Sequence, residues 1–266
     1  MDLGIRGRVA FVMGGTRGIG RAIAEILAAE GCAVAVVGRD DPAARATAGQ
    51  ISASGGTAFG LGVDMTAAGS AQSAVTRVEQ ELGPVDIAVY NGVTPRAGGF
   101  EDVSDSDLEE SFRMTVIGFA NLVRAVSPGM KERQWGRVLT IGSRTVKQPL
   151  RSDELPYVLA NTTRIAAVGL SKTLANELGP FGITVNTIGT GRIATESYDD
   201  YTAAHSDQLG TGTDDFLNDK IRRIPLRRFG RPAEIASLAA FLCSQNGGYV
   251  SGETINCDGG RNESMF

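Results

Sequence analysis

VAFVMGGTRGIGR, residues 9–21, decides how this chain reads. Val9–Met13 is a short run, apolar throughout, of the kind that suits a strand covered on both faces. Glycine then falls at 14, 18 and 20, and a helical apolar period occupies Arg21–Glu30. A strand, a glycine turn and a helix in that order make a phosphate-binding device. Gly14, Gly18 and Gly20 let the backbone turn tightly and come close to a pyrophosphate, while the helix N-terminus offers free N–H donors and a partial positive charge. Thr16, Arg17 and Ile19 complete the turn, and the flanking strand and helix are the context that lifts such a glycine cluster above chance.

Working outward, the same alternation repeats. Ala33–Val37, Ile87–Tyr90, Val138–Ile141 and Thr184–Ile188 read as buried strands. Ala67–Leu82, Asp105–Met130, Tyr157–Leu178 and Pro232–Cys243 read as helices, the last with proline tolerated in its first turn and Glu234 near its positive end. Strand–helix alternation of this kind predicts an α/β fold, a doubly wound parallel sheet of Rossmann type with helices on both faces. No linker or charge block divides the chain, so 1–266 is expected to be a single domain. The irregular stretch 196–225, with Tyr198, Tyr201 and His205, is expected to form a substrate lid.

Composition excludes several classes. With 42% hydrophobic and 21% charged residues the chain reads as an ordinary globular protein. A net charge of −4 gives no basic field to attract nucleic acid or an anionic membrane. No apolar run approaches the ~20 residues of a membrane span. Cys32, Cys243 and Cys257 are too scattered for a disulfide framework or a metal site and fit a reducing, cytoplasmic setting.

The G-x-x-x-G-x-G spacing resembles the short-chain dehydrogenase/reductase family, and the resemblance extends along nearly the whole chain. Asp64 with Met65, in GVDMT, matches the acidic residue placed beside adenine; Asn91, in VYNGV, matches part of the family's N-N-A-G segment, from which Tyr90, Gly92 and Val93 depart. TVNTIGTGRIAT resembles the stretch at the nicotinamide end, which implies contacts from Ile193 and Thr195. IPLRRFGRPAEIA and YVSGETINCDGG are similar to the C-terminal signatures. The resemblance implies a dinucleotide cofactor, a small-molecule substrate and a homo-oligomer, as tetramer or dimer.

Charge selects the cofactor. An acid at the end of the second strand would favour a ribose hydroxyl and repel a 2′-phosphate. Here the strand ends Val36-Val37-Gly38-Arg39, so that Arg39, with Arg17 opposite, offers planar donors to phosphate. Asp40 and Asp41 read as the start of the next helix, pointing outward. The expected cofactor is NADP.

The family's reacting set is a serine, a tyrosine, a lysine four residues after it, and an asparagine on another helix. Chemistry explains these types, since a phenol of pKa ~10 needs a neighbouring cation to work near neutral pH. By resemblance Ser143 and Tyr157 fill the first two places, but Asn161 stands where the lysine would be and Thr115 where the asparagine would be. Lys147, four residues after Ser143, is the favoured replacement cation, and Arg164, seven after Tyr157, the other. This pattern resembles a divergent branch holding bacterial secondary-metabolite reductases, some of which add hydride to conjugated enones. The expected activity is NADPH-dependent reduction of a carbonyl or enone. A regulatory NADP-binding protein, and an isomerase or dehydratase using Ser143 and Tyr157, are the alternatives. His205, Phe100, Phe216 and Trp135 read as surface or packing residues.

Overall fold

A computed structural model describes residues 2–92, 95–150, 156–196, 198 and 213–265. Seven strands form one parallel sheet in the order β3-β2-β1-β4-β5-β6-β7. They are β1 Val9–Met13, β2 Ala33–Gly38, β3 Thr57–Gly62, β4 Val85–Tyr90, β5 Gly136–Ser143, β6 Ile183–Thr190 and β7 Thr254–Cys257. The helices are α1 Gly18–Ala29, α2 Asp41–Ala53, α3 Ser70–Leu82, α4 Asp105–Phe112, α5 Gly118–Glu132, α6 Val158–Leu178, α7 Thr213–Arg222 and α8 Pro232–Leu242.

Alternation along the central strands divides the core in two. Ala10, Val12, Val34, Val36, Ile87 and Val89 point to one face and pack under Ile23, Leu27, Ile51 and Ile235 of α1, α2 and α8. Phe11, Ala35, Val37, Ala88 and Val185 point to the other, under Val75, Phe119 and Leu122 of α3 and α5. Two-sided burial is why these strands read as continuous apolar runs. The edge strands do not read so: β3 is broken by Gly60 and Gly62, and β7 has only four half-buried residues.

One expected helix is two. Arg113–Ile117 form a single π-helical turn between α4 and α5. Tyr90, at the end of β4, donates its hydroxyl to the carbonyl of Met114 within that turn. A side-chain donor set into the carbonyl ladder is a recognised cause of such a bulge.

Strand order reverses between β1 and β4, where a doubly wound sheet opens a crevice at the carboxyl ends of its strands. Gly14, Arg39, Asp64, Asn91, Ser143 and Gly191 all follow or end strands on that rim. Half of segment 196–225, including Tyr201 and His205, lies outside the described residues. Among the described residues no helix is long and apolar enough to cross a membrane.

Candidate active site

The glycine turn is fixed by backbone contacts. Gly14 has φ +71°, and its N–H donates to Val37 across 2.7 Å. A Cβ on Gly14 would sit 2.2 Å from the Asn91 carbonyl oxygen, and one on Gly20 would sit 1.9 Å from the Gly14 oxygen. Neither glycine can therefore carry a side chain without moving the turn. Asn91 serves the turn itself, its Nδ2 donating to the Gly14 carbonyl at 3.2 Å. α1 starts at Gly18 behind extended Arg17, so the amides of its first turn face outward as open donors. Thr195 closes this end, since a Cβ on Gly18 would meet its Cγ2 at 3.3 Å.

Beside the turn, Arg39, Asp64, Met65 and Tyr90 line a cavity of about 420 Å³. Asp64 accepts from the Thr66 N–H at 2.9 Å and the Thr66 hydroxyl at 2.7 Å. These donors, with a smaller pull from Arg39, hold its carboxyl below the usual range. Both neighbouring acids are committed elsewhere. Asp40 caps α2 by accepting from the Ala43 N–H, and Asp41 accepts from the Gly62 N–H and from Arg45. The exposed Arg39 lines the same cavity with neither Asp40 nor Asp41 bonded to it, although Asp64, Glu109 and Glu110 line the cavity too. Turn, open amides and Arg39 together fit a phosphorylated dinucleotide.

A second cavity, about 410 Å³, brings together residues expected to react. Ser143, Tyr157 and Arg164 line it together with Ile19, Ile193 and Thr195. Ser143 ends β5 opposite Thr190 of β6, and its Oγ accepts from the Thr145 N–H at 3.3 Å. Tyr157 precedes α6, held by Gly98, whose N–H donates to the Pro156 carbonyl and whose carbonyl accepts from Val158 N–H. Burial pushes the Tyr157 phenol up, while Arg164 and then Arg192 pull it down.

The structure does not gather all the expected residues. Lys147 is exposed and is not among the residues lining the cavity. Arg164, 8% exposed, lines the cavity with Tyr157 and exerts the larger of two cationic pulls on its phenol, its Nη1 donating to the Ile141 carbonyl at 3.3 Å. The reason is helical geometry: a residue seven positions on returns to the same face, and a long side chain leans back toward the N-terminus. Asn161 turns its Nδ2 to the Leu150 carbonyl at 3.3 Å and leaves its buried Oδ1 without a protein partner. Thr115 sits in the π turn with its Oγ1 3.4 Å from Thr163 of α6, away from the cavity lining. Arg144 and Arg192 do line the cavity and were not anticipated. Their only signal in the sequence is position, one directly after Ser143 and the other directly after Gly191.

Residues 14–262 match a family model described as enoyl-(acyl carrier protein) reductase. The short-chain reductase protein NovJ of Streptomyces niveus is 34% identical over 253 residues, 95% of this chain and 93% of its own length. The 3-oxoacyl-(acyl-carrier-protein) reductase FabG of Escherichia coli is 33% identical over 258 residues, covering 97% of this chain and 98% of its own. L-sorbose reductase from Gluconobacter frateurii, solved with NADPH and L-sorbose, superposes with a TM-score of 0.93 at 29% identity over the whole of both chains. YwfH, an NADPH-dependent reductase involved in bacilysin biosynthesis, superposes at 0.90 with 26% identity, over 97% of this chain and 99% of its own.

Proposed function

Since this chain belongs to the short-chain dehydrogenase/reductase family, we propose that it is an NADPH-dependent reductase of a small-molecule carbonyl or conjugated enone, with Arg164 in the electrostatic place of the family's lysine. The observation that carries this reading is the convergence of Ser143, Tyr157 and Arg164 on one cavity beside Ile19, Ile193 and Thr195. Gly14, Thr16, Gly18, Ile19 and Gly20 would hold the pyrophosphate, Arg17 and Arg39 the 2′-phosphate, Asp64, Met65 and Asn91 the adenosine end, and Ile193 and Thr195 the nicotinamide end. When bound, the reduced nicotinamide supplies a hydride.

The protein's own part is proton delivery and charge control. Ser143 Oγ hydrogen-bonds the substrate oxygen and orients it. Tyr157 Oη gives its proton to that oxygen. The phenolate left behind is stabilised by the Arg164 guanidinium, a permanently charged group in a site of low dielectric. Asn161 carries no charge; its orphaned Oδ1 is free to accept from a ribose hydroxyl.

Neutral Asn161 also favours a second reading for the substrate. Hydride addition to the far carbon of an enone leaves an enolate, which needs electrostatic stabilisation more than rapid protonation. Two or four copies form the expected assembly, supported by Phe112, Ile117 and Ile165, which stay exposed on adjoining helical segments.

Titration of NADPH fluorescence, followed by absorbance of NADPH with matched ketones and enones, tests the reading. NADPH consumption with either class supports it. Tight binding with no oxidation across both panels identifies a regulatory protein instead, and substrate loss without NADPH oxidation identifies an isomerase or dehydratase.

A further inference from the structure

The wall of the Tyr157 cavity that follows β5 has little regular structure of its own. Ser143, Arg144, Thr145 and Leu150 line the cavity. A short turn at Arg144–Val146 orders the first part of this loop, with the Lys147 and Gln148 N–H groups both donating to the Arg144 carbonyl. Beyond it, Pro149 has no N–H to give. Two side-chain contacts from distant parts of the chain hold the loop there. Asn161 of α6 donates to the Leu150 carbonyl at 3.3 Å. Gln148 is gripped from the segment after β7: its Oε1 accepts from the Glu263 N–H at 2.8 Å, and its Nε2 donates to Glu263 Oε2 at 3.4 Å.

That segment is itself rooted. Asp258 follows β7, and its carboxylate accepts from the N–H groups of Gly260 and Asn262 at 3.0 and 2.8 Å. Gly259 and Gly260, at φ +68° and +80°, let the chain reverse without strain. The root lies against the β6 side of the cavity. Gly191, part of the lining, donates its N–H to the Cys257 carbonyl at 3.1 Å, and a Cβ on Gly191 would stand 2.6 Å from Asp258 Cα. Arg261 Nη1 lies 3.8 Å from Glu263 Oε1, the carboxylate oxygen that Gln148 does not use. Residues 258–263 therefore run from the β6 wall of the cavity to the β5 wall and are bonded at both ends.

We propose that residues 258–263 are a strap that fixes the loop 144–150 as a wall of the substrate cavity, with Gln148 and Glu263 as positioning residues for the substrate. This rests on the reductase reading of the cavity and adds what sets its fit to a substrate. Neither side chain lines the cavity. A wall held in place beforehand loses less freedom when a substrate arrives, so the contact tightens binding without touching the reacting atoms. Its effect belongs in KM, since an interaction felt equally by bound substrate and transition state leaves kcat alone.

Gln148→Leu removes both hydrogen bonds and keeps the bulk. Gln148→Glu sets a carboxylate against Glu263, and adding Glu263→Gln restores an amide–carboxylate pair in reverse. Two readouts are taken: amide hydrogen exchange of residues 144–150, and steady-state NADPH oxidation with cyclohexanone and cyclohexenone against their phenyl-substituted analogues. Exchange in the loop should quicken about tenfold in both single variants and return to within about twofold in the double variant. KM for the compact ketone or enone should rise about three- to tenfold with kcat within about twofold, and its advantage over the phenyl analogue should shrink. Recovery of KM in the double variant assigns the effect to the contact and not to either residue alone. Unchanged exchange in Gln148→Leu overturns the proposal. So does quickened exchange with KM and selectivity unmoved, or with a fall in kcat alone, because the loop is then held for the fold and not for the substrate. Quickened and rescued exchange, with no NADPH oxidation by the unaltered protein on any compound, keeps the strap and removes the reductase reading.

Discussion

The two halves of the crevice are built from different materials. On the β1–β4 side, the nucleotide half is made of backbone: a left-handed Gly14, the open amides of α1, and a turn held by its contact with Asn91. On the β5–β6 side, the reacting half is made of side chains, with Tyr157 and Arg164 projecting from one end of α6 toward Ser143 at the tip of β5. Backbone geometry tolerates almost no substitution, so the nucleotide half keeps a recognisable sequence. Side-chain geometry allows one cation to be replaced by another from a different position, which is the role proposed above for Arg164 in place of a cation at 161. The lesson is that a missing family residue need not be a missing charge.

The most damaging test of the reacting half is Tyr157→Phe. It should lower kcat by roughly 10²- to 10⁴-fold, the range of a lost general acid, as measured by steady-state NADPH oxidation. A variant retaining more than a tenth of the activity would mean that another group, or water, protonates the product.

Gly14→Ala attacks the other half. Its Cβ would meet the Asn91 oxygen at 2.2 Å, and an L residue at φ +71° is strained by about 1–2 kcal/mol in addition. NADPH affinity should fall on the order of 100-fold by fluorescence titration, with a lowered melting temperature; unaltered affinity would show that the turn does not carry the phosphates.

Arg164→Met sharpens the contrast between charge and position. A kcat loss of about tenfold is expected, with partial recovery in Arg164→Lys. The pH profile gives a sign as well. Arg164 pulls the Tyr157 phenol down, so without it the phenol pKa rises. The protonated phenol is the active form, and the alkaline limb of the rate profile should move to higher pH. A limb that stays in place, or moves lower, assigns the charge elsewhere.

The smallest effect belongs to Lys147→Ala, whose side chain is exposed on the loop after β5. A change in kcat/KM below about twofold is expected, as for surface positions in general. A loss of tenfold would bring Lys147 back over Arg164 as the cation of the site.

Much of the fold was legible because central strands buried on both faces are apolar throughout. β1 matches its expected limits, and β2, β4, β5 and β6 exceed theirs by one to four residues. The edges were not legible: Gly60 and Gly62 hide β3, and β7 lacks a full run of apolar residues. The break between α4 and α5 was also hidden, because the bulge depends on Tyr90 from a distant strand. In the site, the glycine turn could be read from linear spacing, and Ser143 and Tyr157 were named through the family resemblance; the structure places both in one cavity. That Arg164 and not Lys147 lines this cavity could not be read, since spacing gives a face of a helix but not the reach of a loop residue. Arg144 and Arg192 escaped for a related reason: a charge next to a motif reads as surface until the pocket around it is seen.

The Tyr90 hydroxyl in the π turn also constrains how this protein can change over generations. Gly118, at the start of α5, lies against it, and a Cβ there would come within 2.2 Å of Tyr90 Oη. With that oxygen gone, the nearest ring carbon, Cζ, stands at 3.2 Å, a contact a slight shift relieves. Positions 90 and 118 therefore form an ordered pair in which the phenol must give way before the glycine can grow. While the tyrosine stays, alanine at 118 is disfavoured, and this dependence has a direction that comparison of single substitutions would miss.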